Sequence, residues 1–160
     1  MVANRLTPTA VWAPPGVTLS NVSAGGSHTC AEGADDKLHC WGGNSYGQLG
    51  NGTTNGVIFA TAVSAPAQVK LVNPSLGEHH TCAESLDGDV YCWGRNNLGQ
   101  LGNGDSGVTS SSVPVKVTGL PTGTKLSNLR AGYAHTCAEG SDGEVYCWGN
   151  NQYGQLGDGT

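Results

Sequence analysis

The sequence is short of charge: Asp, Glu, Lys and Arg together make up 12% of its 160 residues. The 7 basic residues are scattered and the net charge is −5. Binding a phosphate backbone needs concentrated positive charge, so no nucleic-acid partner is expected. No apolar run approaches the ~20 residues of a membrane-spanning helix. No stretch sustains apolar residues at i, i+3, i+4 and i+7, which excludes amphipathic helices as the building unit. Met1-Val2-Ala3-Asn4-Arg5 is not followed by the apolar stretch of a secretory leader. No Ser/His/Asp order, phosphate-cradling glycine loop before a helix, or paired-carboxylate constellation stands out, so an enzyme is not expected and no cofactor is implied.

What the chain does have is glycine, 26 residues of it, and self-similarity. His28-Thr29-Cys30-Ala31-Glu32 returns as His80-Thr81-Cys82-Ala83-Glu84 and as His135-Thr136-Cys137-Ala138-Glu139. Cys40-Trp41-Gly42 returns as Cys92-Trp93-Gly94 and Cys147-Trp148-Gly149. Gly47-Gln48-Leu49-Gly50 returns as Gly99-Gln100-Leu101-Gly102 and Gly154-Gln155-Leu156-Gly157. All three marks move by 52 and then by 55 positions. Fixed-period self-similarity of this length marks a repeat architecture in which each unit leans on its neighbours.

Each repeat reads as strand, tight turn, strand, glycine loop and a looser strand. In the second, Thr81–Ser85 and Asp89–Trp93 flank a Leu86-Asp87-Gly88 turn, matched by Ser141-Asp142-Gly143 in the third. Glycine there takes the left-handed conformation that closes a three-residue hairpin loop. The first repeat has Asp36 at that place, a residue that tolerates the same conformation. Pro66-Ala67-Gln68-Val69 and Pro114-Val115-Lys116-Val117 are expected to supply the last strand, with proline at an edge.

The pattern Gly-x-x-His-Thr-Cys-Ala, Asp-Gly-x-Val-Tyr-Cys-Trp-Gly, Gly-Gln-Leu-Gly resembles the regulator of chromosome condensation repeat over roughly residues 5 to 160. The resemblance implies an all-β fold of β-propeller blades, one four-stranded antiparallel sheet per repeat. Members of that family usually close rings of seven blades, so three repeats imply an incomplete ring per chain. Some members are bacterial inhibitors and others exchange factors for small GTPases, but only scaffold positions match here. A single array over 1–160 is expected, with approximate repeats 12–69, 70–117 and 118–160.

Cysteines fall ten apart in each repeat: Cys30/Cys40, Cys82/Cys92 and Cys137/Cys147. If the two face each other across the hairpin, the loop is centred on Asp35, Asp87 or Asp142, matching the turn chemistry. Opposed residues of an antiparallel pair are close enough for a disulfide. Three intra-blade disulfides are therefore expected, with six buried thiols as the alternative. A zinc site of His28, Cys30 and Cys40 leaves the tetrahedron incomplete and lacks the usual Cys-x2-Cys spacing, so no metal site is expected. Disulfides persist outside the reducing cytosol, and the expected location is extracellular or periplasmic. Asn21-Val22-Ser23 and Asn51-Gly52-Thr53 are glycosylation-type tripeptides.

An active site is normally unique, so residues present in every copy are first read as scaffold. His28, His80 and His135 are expected to hydrogen-bond a neighbouring loop. Trp41, Trp93 and Trp148, with Leu49, Leu101 and Leu156, are expected to pack between blades. What differs between copies is where a protein or glycan partner would dock: Tyr46, Glu78, His79, Arg95, Tyr133 and Tyr153. His79 beside His80 is the one adjacent histidine pair, a candidate for a pH response or weak metal binding.

The third repeat stops after its glycine loop, while Leu6-Thr7-Pro8-Thr9-Ala10-Val11 resembles the strand it lacks. Closed propellers begin at about four blades. The expectation is that residues 6–11 complete the third blade of another copy, head to tail, giving a ring of six blades or a filament. The alternative is an excerpt of a longer chain. A recognition propeller, such as a secreted inhibitor or lectin, is the other functional reading.

Overall fold

The structure, a computed structural model, describes residues 4–160. It is built from eleven strands and, among the described residues, no helix: β1 (Leu19–Ala24), β2 (His28–Gly33), β3 (Leu38–Gly42), β4 (Val57–Ala62), β5 (Leu71–Leu76), β6 (His80–Ser85), β7 (Val90–Arg95), β8 (Ser110–Lys116), β9 (Leu126–Ala131), β10 (His135–Gly140) and β11 (Val145–Gly149). They form antiparallel meanders in chain order: β1 to β4, β5 to β8, and a three-stranded third sheet of β9 to β11. Each sheet is one propeller blade. Its innermost strand packs against the neighbouring blade.

The central hairpin of each blade follows from turn chemistry. Ser85 donates its N–H to the Asp89 carbonyl at 2.7 Å and Gly88 donates to the Ser85 carbonyl at 2.9 Å. Gly88 and Gly143 have φ of 76° and 88°, and Asp36 adopts 63° in the same place. That turn sets the register, which puts Cys30 opposite Cys40, Cys82 opposite Cys92 and Cys137 opposite Cys147. All three pairs are disulfide-bonded, with Cα atoms 4.1 Å apart. The cystines of the first two blades are fully buried.

Two features of the strands differ from what the sequence predicts. Pro66–Val69 is a turn, closed by Val69 N–H to the Pro66 carbonyl with Gln68 at φ 65°. The outer strand of the first blade is β4, which begins earlier, where β-branched and aromatic Val57, Ile58 and Phe59 sit. In the second blade Pro114–Lys116 does lie in the outer strand β8. The innermost strands β1, β5 and β9 escaped the sequence reading. Their signature is Asn21, Asn73 and Asn128, each at positive φ (47°, 49° and 55°), where the pairing shifts register at a bulge. That bulge breaks the alternation by which a strand is read.

The core lies between blades. Cys30, Leu38, Cys40, Leu49, Val63, Leu71, Leu76, Ala83 and Trp93 form one buried cluster across the first and second blades. Cys82, Val90, Cys92, Leu101, Val117, Leu126, Leu129 and Ala138 form the other, across the second and third. A single sheet buries one side at most, so stability comes from stacking.

Candidate interaction surfaces

The joint between blades is built from residues that recur in every repeat. The glycine loop is held by its own side chains. Asn44 accepts the Leu49 N–H at 2.9 Å and donates to the Thr53 and Asn55 carbonyls, while Gln48 accepts the Tyr46 N–H. Asn96 with Gln100, and Asn151 with Gln155, make the corresponding bonds to Leu101 and Leu98, and to Leu156 and Tyr153. The glutamine backbone carbonyl is thereby aimed at the next blade. Gln48 O accepts both the Trp93 indole N–H (2.9 Å) and the Thr81 hydroxyl (2.8 Å). Gln100 O accepts the Trp148 indole N–H at 3.0 Å.

Gly50 and Gly102 let the indoles approach. A methyl on Gly50 would lie 2.7 Å from Trp93 Nε1, and one on Gly102 would lie 2.9 Å from Trp148 Cδ1. The histidines bridge the same joint: His28 Nε2 lies 2.8 Å from Thr81 Oγ1, and His80 Nε2 lies 2.9 Å from Thr136 Oγ1. Their partners are strand threonines of the next blade, where a loop had been expected. Glu32 and Glu84 cross it too, accepting backbone N–H groups from Asn73 (2.6 Å) and Leu129 (3.3 Å). Burial lowers the pKa of His28 and His80 to about 4, so both are neutral at pH 7, with nearby histidines adding repulsion against a proton.

At the two ends the joint is half-built. Trp41 is half-buried and, among the described residues, its indole has no such carbonyl. Nothing lies within 4 Å of a methyl placed on Gly157. Val145 is 67% exposed, although its counterparts Leu38 and Val90 are 3% exposed beneath the ends of the outer strands. Residues 6–11 form no strand in this chain and are exposed, Leu6 almost entirely.

A second surface lies on the rim. Of the six partner-loop residues named from the sequence, the fold gathers five. The Arg95 guanidinium sits 4.9 Å from the Tyr46 ring centroid, and the His79 ring lies 4.9 Å from that tyrosine on a tilted plane. Glu78 reaches His79 at 3.4 Å, and its carboxylate near the Tyr133 hydroxyl raises the Tyr133 pKa. Tyr153 stands apart and exposed. Among the described residues, no group of three or more His, Cys, Asp or Glu is arranged to hold a metal ion. Among those residues, no helix is long and apolar enough to cross a membrane.

The regulator of chromosome condensation (RCC1) repeat model matches residues 35–83 and 87–138, and a second model of the same repeat matches 20–48 and 128–155. The chain belongs to the RCC1-repeat family. Among relatives, it is 33% identical over 155 residues to the ultraviolet-B receptor UVR8 of Arabidopsis thaliana, covering 96% of this chain and 34% of that protein. It is 34% identical over 139 residues to the human X-linked retinitis pigmentosa GTPase regulator, covering 86% of this chain and 13% of that one. Among solved structures, Prp20p of Saccharomyces cerevisiae superposes with a TM-score of 0.78 at 26% identity, over 87% of this chain and 35% of that one. Human WBSCR16 gives 0.77 at 27% identity, over 91% and 38%. The RCC1-repeat chain thus spans about a third or less of the length of the two curated relatives. An RCC1-repeat propeller fits a protein-interaction module.

Proposed function

We propose that this protein is a non-catalytic interaction and assembly module whose disulfide-stapled blades associate head to tail. Residues 6–11 of one copy add to the free edge of β11 of the next. The observation that carries this reading is the contrast at Val145, two-thirds exposed where its two counterparts are buried. Thr9-Ala10-Val11 and Ala13-Pro14 match Thr61-Ala62-Val63 and Ala65-Pro66 at the repeat's own offset of 52. In the first blade Thr61 pairs with Cys40 and Ala62 with His39. The same register puts Thr9 opposite Cys147 and Ala10 opposite Tyr146 of the neighbouring copy, with Val11 over Val145.

The half-joints complement one another. Trp41 of one copy would place its N–H on the Gln155 carbonyl of another, over Gly157, and His135 would meet Thr29. Such contacts use different faces of each copy, so they close a ring or extend a filament. The disulfides support an extracellular or periplasmic setting. Light scattering across a concentration series tests the assembly: a mass of two or more copies is expected, W41A and deletion of residues 1–12 should each return it to one, and a stable monomer throughout refutes it.

The rim cluster favours a second reading, a recognition propeller. The solved relative Prp20p was characterised together with its binding to Gsp1p and histones, and yeast RCC1 (Prp20) was also solved as the partner of Kap60. Protein partners of that general kind, rather than the small substrate of an enzyme, fit a rim of half-buried Tyr46 and Arg95 beside exposed Tyr133. A pull-down against surface proteins and a glycan array separate protein from sugar recognition.

A further inference from the structure

Arg95 differs from the cations of the chain that are paired with acids. Lys70 pairs with Asp36, and Lys116 and Lys125 both reach Asp89, at 2.7 and 2.9 Å. Arg95 has no carboxylate within ion-pair distance and no side-chain hydrogen bond among the described residues. It is instead held against the face of Tyr46, which is itself braced by the His79 ring. The acid of the same cluster, Glu78, faces His79 at 3.4 Å and is not within ion-pair distance of Arg95. Beside the guanidinium opens a cavity of about 240 Å³ lined by Glu78, His79, Leu98, Tyr133 and Asn150. Leu98 and Tyr133 present exposed apolar surface at its mouth.

We infer that this pocket receives an Asp or Glu side chain carried on an extended segment of a partner protein. A guanidinium stays charged and offers a planar fork of N–H donors that matches a carboxylate, while one face remains free to stack on an aromatic ring. Contact with Tyr46, 4.9 Å from the guanidinium carbon to the ring centroid, leaves the N–H donors without a side-chain hydrogen bond among the described residues. It also fixes the side chain in advance, which lowers the entropy lost on binding. The cluster draws on three consecutive blades, Tyr46 from the first, Arg95 from the second and Tyr133 from the third, so an extended segment crossing the rim touches all of them. This rests on the interaction-module reading but not on head-to-tail assembly, because one chain supplies the whole pocket.

The experiment is an NMR titration of the full chain with three short peptides. The first is blocked at both ends, acetyl-Gly-Leu-Glu-Leu-Gly-amide; the second carries Gln in place of Glu; the third has Gly at that place and a free C-terminal carboxylate. The Glu peptide should shift the Arg95 Nε–Hε resonance and bind about tenfold tighter than the Gln peptide, the difference between a charge-assisted and a neutral hydrogen-bonded pair. R95Q and Y46A should each erase that preference while the circular dichroism spectrum is unchanged. Absence of the Arg95 shift, equal binding of the Glu and Gln peptides, equal binding of the free-carboxylate peptide, or a preference that survives R95Q would each overturn the assignment. Light scattering on the same samples reports assembly separately, so failure of one reading is distinguishable from failure of the other.

Discussion

Acidification from pH 7.5 to 5 should destabilise this protein through two buried histidines. His28 and His80 each sit beneath the following blade against a threonine hydroxyl, and burial holds their pKa at about 4. In the unfolded chain each returns to about 6.5. Between those values the unfolded state binds the extra protons, so stability is complete above pH 6.5 and falls as pH drops toward 4. At pH 5 an unfolded histidine is almost fully protonated and its native counterpart almost neutral. The difference is worth about 2 kcal/mol per residue, or about 4 kcal/mol for the pair. That is a large part of the roughly 5–15 kcal/mol of an ordinary domain. The Asp89 carboxyl, held low by hydrogen bonds from Lys116 and Lys125, titrates beneath this window and does not contribute to the slope. Urea unfolding at a fixed protein concentration, at half-unit pH steps, measures the effect. H80Q should remove about half of the pH dependence even where it lowers stability at pH 7.5. A flat profile from 7.5 to 5, or an unchanged slope in the H28Q/H80Q double variant, would refute the neutral-joint argument.

W93A should cost about 3–5 kcal/mol, since a fully buried indole and its bond to Gln48 are both lost; W41A, half-buried, should change thermal stability much less and oligomer mass much more. G102A adds a methyl 2.9 Å from Trp148 Cδ1, whereas G157A adds one with nothing nearby, and both positions have positive φ. Each should therefore lose about 1–2 kcal/mol of backbone preference, and G102A about 1–3 kcal/mol more for overpacking, read as a difference between their denaturation midpoints. Replacing both Cys82 and Cys92 by Ala opens a hairpin closed across a separation of 10 residues and should lower stability by about 2–3 kcal/mol in the chain-entropy model. Equal midpoints for this variant and the parent under oxidising conditions would count against the staple.

The disulfide-bearing hairpins were legible because turn length alone fixes their register: an odd loop centred on Asp87 leaves Cys82 facing Cys92 whatever the rest of the fold does. The inner strands were not, because a bulge at Asn21, Asn73 and Asn128 interrupts the alternating pattern that announces a strand. The outer strand of the first blade lies ahead of the place Pro66 predicts, because that proline opens a turn instead of starting a strand. The rim cluster was half legible. Its residues could be named as places where the repeats disagree, but nothing local says that Tyr46 meets Arg95 while Tyr153 meets neither.

The sequence by itself determined the repeat, its turns and the identity of its scaffold residues, since periodicity and glycine or asparagine chemistry act over a few positions of chain. The tertiary structure decided what those residues touch. Gln48 offers its carbonyl to Trp93, and His28 faces Thr81, only because one blade stacks on the next at a particular offset. That stacking is set by packing across the sheets, which no stretch of neighbouring residues encodes.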